Sequence, residues 1–205
     1  MTDHARVSGK MVAALFVQKN GCYYGDPEID PWDEARDARK YSGPWHVVAH
    51  PPCARWCRLA ESVEARLGAR YKVGEDGGCF ASALESVRRF GGVLEHPAET
   101  KAWDAFGLSN SMGSGWKRDL FSGGWVCEVS QRAYGHGARK LTWLYFCGSR
   151  PPPVLDWSRP PPIAIVGHDS KKPRHHPRLT GLENLSTPLG FRDVLLSLAR
   201  GAISA

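Results

Sequence analysis

The sequence predicts an α/β protein in which helices flank a sheet of short strands. Two observations carry this prediction. Compact apolar runs bounded by turn residues are typical of buried strands, and two segments, 79–90 and 191–202, repeat apolar residues at helical spacing. The helix predicted at 79–90 is followed at once by an apolar run at 93–95, which is the order of elements that a parallel sheet requires.

Each element of the first half is predicted from a local pattern. The run at 11–17 is apolar and predicts a first buried strand, and Asn20-Gly21 is a turn signal. The other elements predicted here are a short second strand at 22–24, an irregular acidic loop at 26–33, a short helix at 33–40, a strand at 46–50 and a helix at 58–70. Because the chain has 22 glycines and 15 prolines among 205 residues, we expect short elements joined by many loops.

The second half is predicted in the same way. The helix at 79–90 places Phe80, Leu84 and Val87 on one face and is closed by Gly91-Gly92. The later elements are a strand at 93–95, a helix at 101–106, a Ser/Gly-rich loop at 109–115, strands at 124–130 and 141–147, and a helix at 191–202. Two runs of three prolines, at 151–153 and 160–162, predict an extended segment between the last strand and the last helix.

Composition limits the possible partners and location. No apolar stretch approaches the roughly 18 residues that a membrane span needs, so we expect no membrane partner. The first residues form no long apolar segment of the secretory type, so we expect a cytoplasmic protein whose six cysteines are reduced. Cysteine spacing predicts no metal site, and His175-His176 fits a solvated basic loop better than a metal ligand pair.

The net charge of +6 favours a polyanionic partner, most simply nucleic acid, although an ordinary basic protein has the same balance. The densest basic run lies at 171–178. We expect Lys171, Lys172 and Arg174 in that run to contact phosphates.

A cysteine directly follows the strand predicted at 46–50. Pro51-Pro52 must end this strand, because proline cannot donate a hydrogen bond to a sheet ladder, and Cys53 comes next. The ends of strands in an α/β sheet line the crevice where such folds bind ligands. Cys53 is therefore a candidate nucleophile, although a buried structural thiol is the simpler alternative.

Two further polar residues stand at strand ends. Glu95 ends the strand at 93–95, and Arg139 precedes the strand at 141–147. If these strands are neighbours, Cys53, Glu95 and Arg139 face one cleft. A thiolate, a carboxylic acid and a guanidinium suit covalent attack on a polarised ring, with the acid protonating the ring and the arginine holding its polar edge.

These residues resemble the motifs of the DNA cytosine-5 methyltransferases. The strand-Pro-Pro-Cys segment that ends at Cys53 is similar to their catalytic motif. Leu94-Glu95-His96-Pro97 resembles their Glu-Asn-Val motif, which is Glu-Asn-Pro in phage-type relatives. The segment 131–142 resembles their Gln-x-Arg-x-Arg region with its preceding Tyr-Gly, and Thr187-Pro188 resembles the closing motif. The motifs follow in the family's order and spacing.

The resemblance implies a reduced Rossmann-like, class I methyltransferase-type sheet and a reaction on DNA. Cys53 would attack carbon 6 of a flipped-out cytosine, Glu95 would protonate or hydrogen-bond ring nitrogen 3 and the amine, and Arg139 would orient the base or the backbone. Carbon 5 would then accept a methyl group from S-adenosylmethionine. The DNA contacts implied are Arg55, Gln131, Tyr134 and Lys140, together with the basic run.

The first third departs from the family pattern. Where the family has a glycine-rich loop for S-adenosylmethionine, this chain keeps Leu15-Phe16 and one late glycine. The cofactor-binding residues implied by the resemblance are Phe16, Asp26, Asp30 and Pro52. The chain also has no room for a large target-recognition domain, so we expect low sequence specificity, or specificity that comes from a partner or a single-stranded substrate.

The sequence divides into a methyltransferase-like catalytic domain at 1–150, a Pro-rich basic linker at 151–178 and a C-terminal helix at 179–205 that packs back on the catalytic domain. Three alternatives stay open beside methyl transfer. They are the same covalent chemistry without S-adenosylmethionine, a catalytically inactive DNA-binding derivative, and a nucleotide-level pyrimidine-modifying enzyme.

Overall fold

A single mixed sheet forms the centre of the structure, a computed structural model that describes residues 11–165 and 177–202. Its seven strands are β1 (Val12–Leu15), β2 (Ile29–Trp32), β3 (His46–Ala49), β4 (Gly92–Pro97), β5 (Lys117–Arg118), β6 (Trp125–Ser130) and β7 (Leu141–Cys147). Their order across the sheet is β2-β1-β3-β4-β7-β6-β5. The first four of these are parallel, whereas β7 is antiparallel to both β4 and β6, and β5 is antiparallel to β6. The prediction of an α/β protein is confirmed, but the sheet is only half parallel.

Five α-helices accompany the sheet within the described residues. They are α1 (Ala60–Leu67), α2 (Cys79–Phe90), α3 (Lys101–Ala105), α4 (Gly181–Leu185) and α5 (Leu189–Gly201). Helix α2 packs on one sheet face and α5 on the other, so the fold has three layers. Strand residues alternate between the two cores, as Val48 and Val93 face α5 while Ala49 and Leu94 face α2.

The close approach of β3 and β4 depends on glycine. Gly91 ends α2 with φ 74°, and Gly92 opens β4 with φ 129°, in the region that side-chain-bearing residues rarely adopt. A Cβ atom on Gly92 would lie 2.0 Å from the backbone oxygen of Val47. The register of β4 against β3, which sets the position of Glu95, therefore requires glycine at this point.

The predicted strands and helices with strong periodicity are confirmed. The helix at 79–90 and the strand at 141–147 have the predicted bounds. The second strand was predicted wrongly: residues 22–24 form turns, and β2 lies in the segment 29–32 that was expected to be an irregular loop. The predicted helix at 33–40 is reduced to a single turn of 3₁₀ helix, Ala38–Lys40.

The proline-rich segment is packed against the domain over its described part, 151–165. Leu155 and Trp157 contact the core on the α5 face, and Arg159 pairs with the buried carboxylate of Glu128 at 2.6 Å. The backbone of Ile163 bonds to the Gly137 carbonyl. This part of the predicted linker therefore crosses the sheet face as a strap and forms part of the core. Within residues 11–165 and 177–202, no helix is both long and apolar enough to cross a membrane.

Candidate active site

The strand order places a crevice at the carboxyl end of the parallel strands. From β1, the chain continues to β2 on one side of the sheet, and β3 lies on the other side. In open α/β sheets, ligands bind where the order reverses in this way, beyond the carboxyl ends of the strands. Leu15 ends β1 and Ala49 ends β3, so the residues that follow both strands lie at this point.

Cys53 lies in the turn that leaves β3 at this edge. Its backbone carbonyl accepts hydrogen bonds from the amides of Trp56 and Cys57, each at 2.9 Å, which folds the chain sharply after Pro52. The thiol is partly buried, and burial raises its pKa above the ordinary value. The charge of Glu95 raises this pKa further, whereas the charge of Lys140 opposes it. The resting side chain is thus a protonated thiol within the electrostatic reach of both groups.

Glu95 lies on β4, the strand that pairs with β3. Each of its carboxylate oxygens has one hydrogen-bond partner. Oε2 lies 3.0 Å from Nδ1 of His50, and Oε1 accepts from Nε2 of Gln131 at 3.0 Å. Burial by itself would raise the pKa of Glu95. The hydrogen bond and charge of His50, followed by the charge of Lys140, outweigh it and lower this pKa below its usual range.

The hydrogen bonds continue on both sides of Glu95. Nε2 of His50 lies 2.8 Å from the hydroxyl of Tyr23, which is buried in the connection between β1 and β2. Nε2 of Gln131 also donates to the hydroxyl of Thr142 at 3.0 Å. Strands β4 and β7 and the loops after β1, β3 and β6 thus contribute to one polar network at the carboxyl edge. Oε1 of Gln131 is buried in it and has no hydrogen-bond partner among the described residues.

Of these two neighbouring basic residues, Lys140 and not Arg139 is the one whose charge changes the pKa values of Cys53 and Glu95. The Arg139 side chain is exposed and makes no hydrogen bond or ion pair among the described residues, although its backbone carbonyl accepts a bond from Ser130 at 2.7 Å. Lys140 is partly buried, has φ 27° and reaches the carbonyl of Ser186 at 3.4 Å. Its charge lowers the pKa values of both Cys53 and Glu95.

The predicted DNA contacts are dispersed. Arg55 lies two residues after Cys53, with its guanidinium 4.0 Å from the centre of the Tyr71 ring, and its Nη1 is buried without a hydrogen-bond partner. Gln131 is part of the network around Glu95. Tyr134 binds the proline-rich strap, because its hydroxyl accepts from the Asp156 amide at 2.8 Å. Lys171, Lys172 and Arg174 lie outside the described residues.

A cavity of about 500 Å³ opens beyond the ends of β1 and β2. Its lining residues are Val17, Gln18, Lys19, Asp33, Glu34 and Ala35. Its lining residues come from the segments that follow β1 and β2, and β1 is also the neighbour of β3, which leads to Cys53. Phe16, at the start of this loop, has φ 58°, an uncommon conformation for a bulky residue that often marks a functional site.

The structure separates the four predicted cofactor residues. Phe16 is not among the residues that line the cavity and packs against the core on the α2 face, and Pro52 is exposed beside Cys53. Asp26 precedes β2 and therefore lies at the opposite edge of the sheet, where it accepts a bond from the Glu28 amide. Asp30 lies within β2 and pairs with Arg36. The carboxylates at the cavity are Asp33 and Glu34, which follow β2 directly.

Sequence reasoning missed the partners of Glu95. His50 was visible as a histidine ahead of the two prolines, but its contact with Glu95 depends on β3 lying next to β4. The described residues contain no group of three or more His, Cys, Asp or Glu side chains that could hold a metal ion. All six cysteines are free thiols.

Comparison with known proteins found no family model, no curated protein and no solved structure that matches this chain.

Proposed function

We propose that this protein is a DNA cytosine-5 modifying enzyme that acts through a covalent adduct between Cys53 and carbon 6 of a flipped-out cytosine. Its default reaction is methyl transfer from S-adenosylmethionine. The observation that carries the proposal is that Cys53, in the turn after β3, and Glu95, on the neighbouring strand β4, lie at the carboxyl edge, where the Glu95 charge acts on the thiol. A nucleophile and a buried carboxyl group on one edge are the two groups that addition to a pyrimidine ring requires.

Each residue has a defined chemical role in this proposal. The Cys53 thiol loses its proton and its sulfur bonds to carbon 6, while the Lys140 charge favours the thiolate. Glu95 faces nitrogen 3 and the exocyclic amine of the base. Gln131 holds one oxygen of Glu95 and fixes the direction of the carboxylate.

The cavity beyond β1 and β2 has the size and lining of a site for a nucleoside cofactor. Its volume of about 500 Å³ is in the range of small-molecule sites, and Asp33 and Glu34 supply carboxylates of the kind that bind ribose hydroxyls. Lys19 supplies a cation for a carboxylate group, and Val17 and Ala35 supply apolar surface. Bound here, S-adenosylmethionine would supply a methyl group to the modified ring.

The DNA partner follows from charge and from the position of the reacting atom. The net charge of +6 favours a polyanion, and carbon 6 of a stacked base is out of reach of a thiol in a crevice. A base in single-stranded DNA leaves its stack at lower cost than a paired base. We therefore expect single-stranded oligonucleotides to be the better substrates.

Hydrogen exchange at carbon 5 tests the covalent step without a cofactor. Addition of a thiolate to carbon 6 makes carbon 5 nucleophilic, so in D₂O it takes a deuteron and loses its proton when the adduct collapses. We expect deuterium uptake by cytosine in an oligonucleotide with the wild-type protein, and none with Cys53→Ala. Cys57→Ala is the matched control, since this thiol lies in the same turn, and it should retain exchange.

Mass spectrometry of nucleosides then tests the transferred group. We expect a gain of one methyl on cytosine that requires both S-adenosylmethionine and Cys53. Exchange without methylation would favour the same covalent chemistry with another one-carbon donor. Turnover of dCMP in place of the oligonucleotide would favour a nucleotide-level enzyme, and no exchange with any pyrimidine would overturn the proposal.

A further inference from the structure

We propose that His50 is a positioning residue that supplies Glu95 with the proton that ring nitrogen 3 takes up when Cys53 adds to carbon 6. This inference rests on the proposed function and deepens it. It is based on two consecutive hydrogen bonds. The Tyr23 hydroxyl lies 2.8 Å from Nε2 of His50, and Nδ1 of His50 lies 3.0 Å from Oε2 of Glu95.

The hydrogen-bond partners of His50 determine which ring nitrogen carries the hydrogen when the ring is neutral. Burial keeps the pKa of Tyr23 well above its ordinary value, so its hydroxyl is protonated and can donate to Nε2 of that neutral form. Nδ1 then carries the hydrogen that the Glu95 carboxylate accepts. If Nε2 is protonated as well, it donates to the Tyr23 oxygen instead. The contact between Tyr23 and His50 therefore accommodates both the neutral and the charged ring.

The carboxylate needs such a source of protons. Nitrogen 3 of cytosine is a hydrogen-bond acceptor, and an ionised carboxylate has no hydrogen to donate. His50 itself keeps Glu95 ionised in the resting protein. Without a proton donor behind it, Glu95 would present a negative charge to the acceptor nitrogen and oppose the addition.

The step balances in atoms and charge. The Cys53 thiol first loses its proton to solvent, and the thiolate sulfur then forms a bond to carbon 6. The electron pair of the bond between carbons 5 and 6 moves to form a double bond between carbons 4 and 5. The pair of the bond between carbon 4 and nitrogen 3 moves to nitrogen 3, which takes a proton from Glu95. That proton came from Nδ1 of the imidazolium form of His50, which first protonates the ionised Glu95 and is left neutral, so Glu95 ends the step as the carboxylate it was at the start.

Other charged or titratable groups surround the pair and will shape its pH dependence. They lie in three connecting segments, in β4 and in α5. They are Cys22, Tyr23, Cys53, Cys57, His96, Lys140, Arg192 and Asp193.

The pH dependence of carbon 5 exchange tests this inference. His50→Gln keeps a hydrogen-bond donor toward Glu95 but carries no transferable proton. We expect exchange by this variant to fall roughly 100-fold at neutral pH with little change in KM. The residual rate should increase toward acid pH, because only direct protonation of Glu95 remains. His46→Gln is the control, since His46 lies at the other end of β3 and contacts the Phe90 carbonyl. It should keep the wild-type profile.

Chemical rescue separates proton supply from a structural role. His50→Ala leaves a space beside Glu95, and added imidazole should restore exchange in proportion to its concentration. Imidazole should not rescue a Glu95→Gln variant. A His50→Gln variant with the wild-type rate and profile would overturn the inference while wild-type exchange still supports the proposed function. A loss of exchange in His50→Gln that is equal at every pH, with no imidazole rescue of His50→Ala, would also overturn the inference. Absence of exchange with the wild-type protein would overturn both the inference and the proposed function.

Discussion

Nδ1 of His50 lies 3.0 Å from Oε2 of Glu95, and the two residues are the next positions after the last paired residues of β3 and β4, Ala49 and Leu94. Adjacent parallel strands thus present an imidazole and a carboxylate side by side at the carboxyl edge. Both side chains are nearly buried, at 14% and 12% exposure, so solvent screens their interaction only weakly. The ionisation of Glu95 therefore depends on the register of β4 against β3, because that register sets its contact with His50.

Neutralising Glu95 should make Cys53 more reactive toward a simple alkylating agent. The carboxylate charge raises the pKa of the thiol, so Glu95→Gln leaves a larger thiolate fraction at a given pH. We expect iodoacetamide to modify the Cys53 peptide several-fold faster at pH 8, as measured by mass spectrometry. Glu99→Gln is the control, because Glu99 is exposed and pairs with Arg58. Equal rates in Glu95→Gln and wild type would contradict the coupling of Glu95 to Cys53.

Replacing Lys140 should have the opposite effect on the same thiol. The Lys140 charge lowers the pKa of Cys53, so Lys140→Met should slow alkylation by about twofold to threefold. Arg139→Met is a closely matched control, since it removes the adjacent cation, whose side chain is exposed. Slower alkylation of Cys53 in Arg139→Met, with an unchanged rate in Lys140→Met, would show that Arg139 is the cation that affects the thiol.

Asp33 should contribute to cofactor binding, whereas Asp26 should not. Asp33 lines the cavity beyond β2, and Asp26 lies at the opposite sheet edge. We expect Asp33→Asn to weaken binding of S-adenosylmethionine roughly tenfold in calorimetry, as for loss of one hydrogen bond to a charged group. Asp26→Asn should bind as wild type does. Tyr24→Phe removes the hydroxyl that bonds to Asp33 at 2.7 Å and reports how much of the loss is structural.

The buried His96 should make stability depend on pH. Burial lowers the pKa of His96 from 6.5 to about 4, so the unfolded chain binds a proton more readily than the folded protein does. Stability is therefore lost as pH falls from 6.5 toward 4. Between pH 7 and pH 5 we expect a loss of about 2 kcal/mol in urea unfolding from this residue. His96→Gln should lose much less over this interval, and a similar loss in both proteins would contradict the assignment.

The elements predicted correctly from sequence carry their own local signals. Helix α2 has apolar residues at helical spacing and glycine at both ends, and β7 is a long apolar run. Strand β2 has no such signal, because Asp30 and Pro31 interrupt its apolar residues. Proline is tolerated there since β2 is an edge strand that pairs only with β1. Edge position is a property of the sheet and is invisible in a single segment.

The candidate site also combines residues that a local sequence signal reveals with contacts that depend on the assembled sheet. Cys53 and Glu95 could be selected because each follows or ends an apolar run. Their relation to His50 and Gln131 depends on which strands are neighbours, and β7 reaches the side of β4 by antiparallel insertion. The sequence selected Arg139, but this side chain is exposed, and the charge that lowers the pKa values of Cys53 and Glu95 is that of the next residue, Lys140.

That insertion of β7 has a consequence for the order in which the protein is made. Cys53, His50 and Glu95 leave the ribosome before Gln131, which bonds the carboxylate, and Thr142, which bonds Gln131. A nascent chain that ends after β4 therefore contains both partners of the His50–Glu95 contact but lacks the amide that bonds the second carboxylate oxygen. That second contact forms only when the hairpin of β6 and β7 pairs with β4, so a prematurely terminated chain would contain Cys53 beside an incompletely held carboxylate.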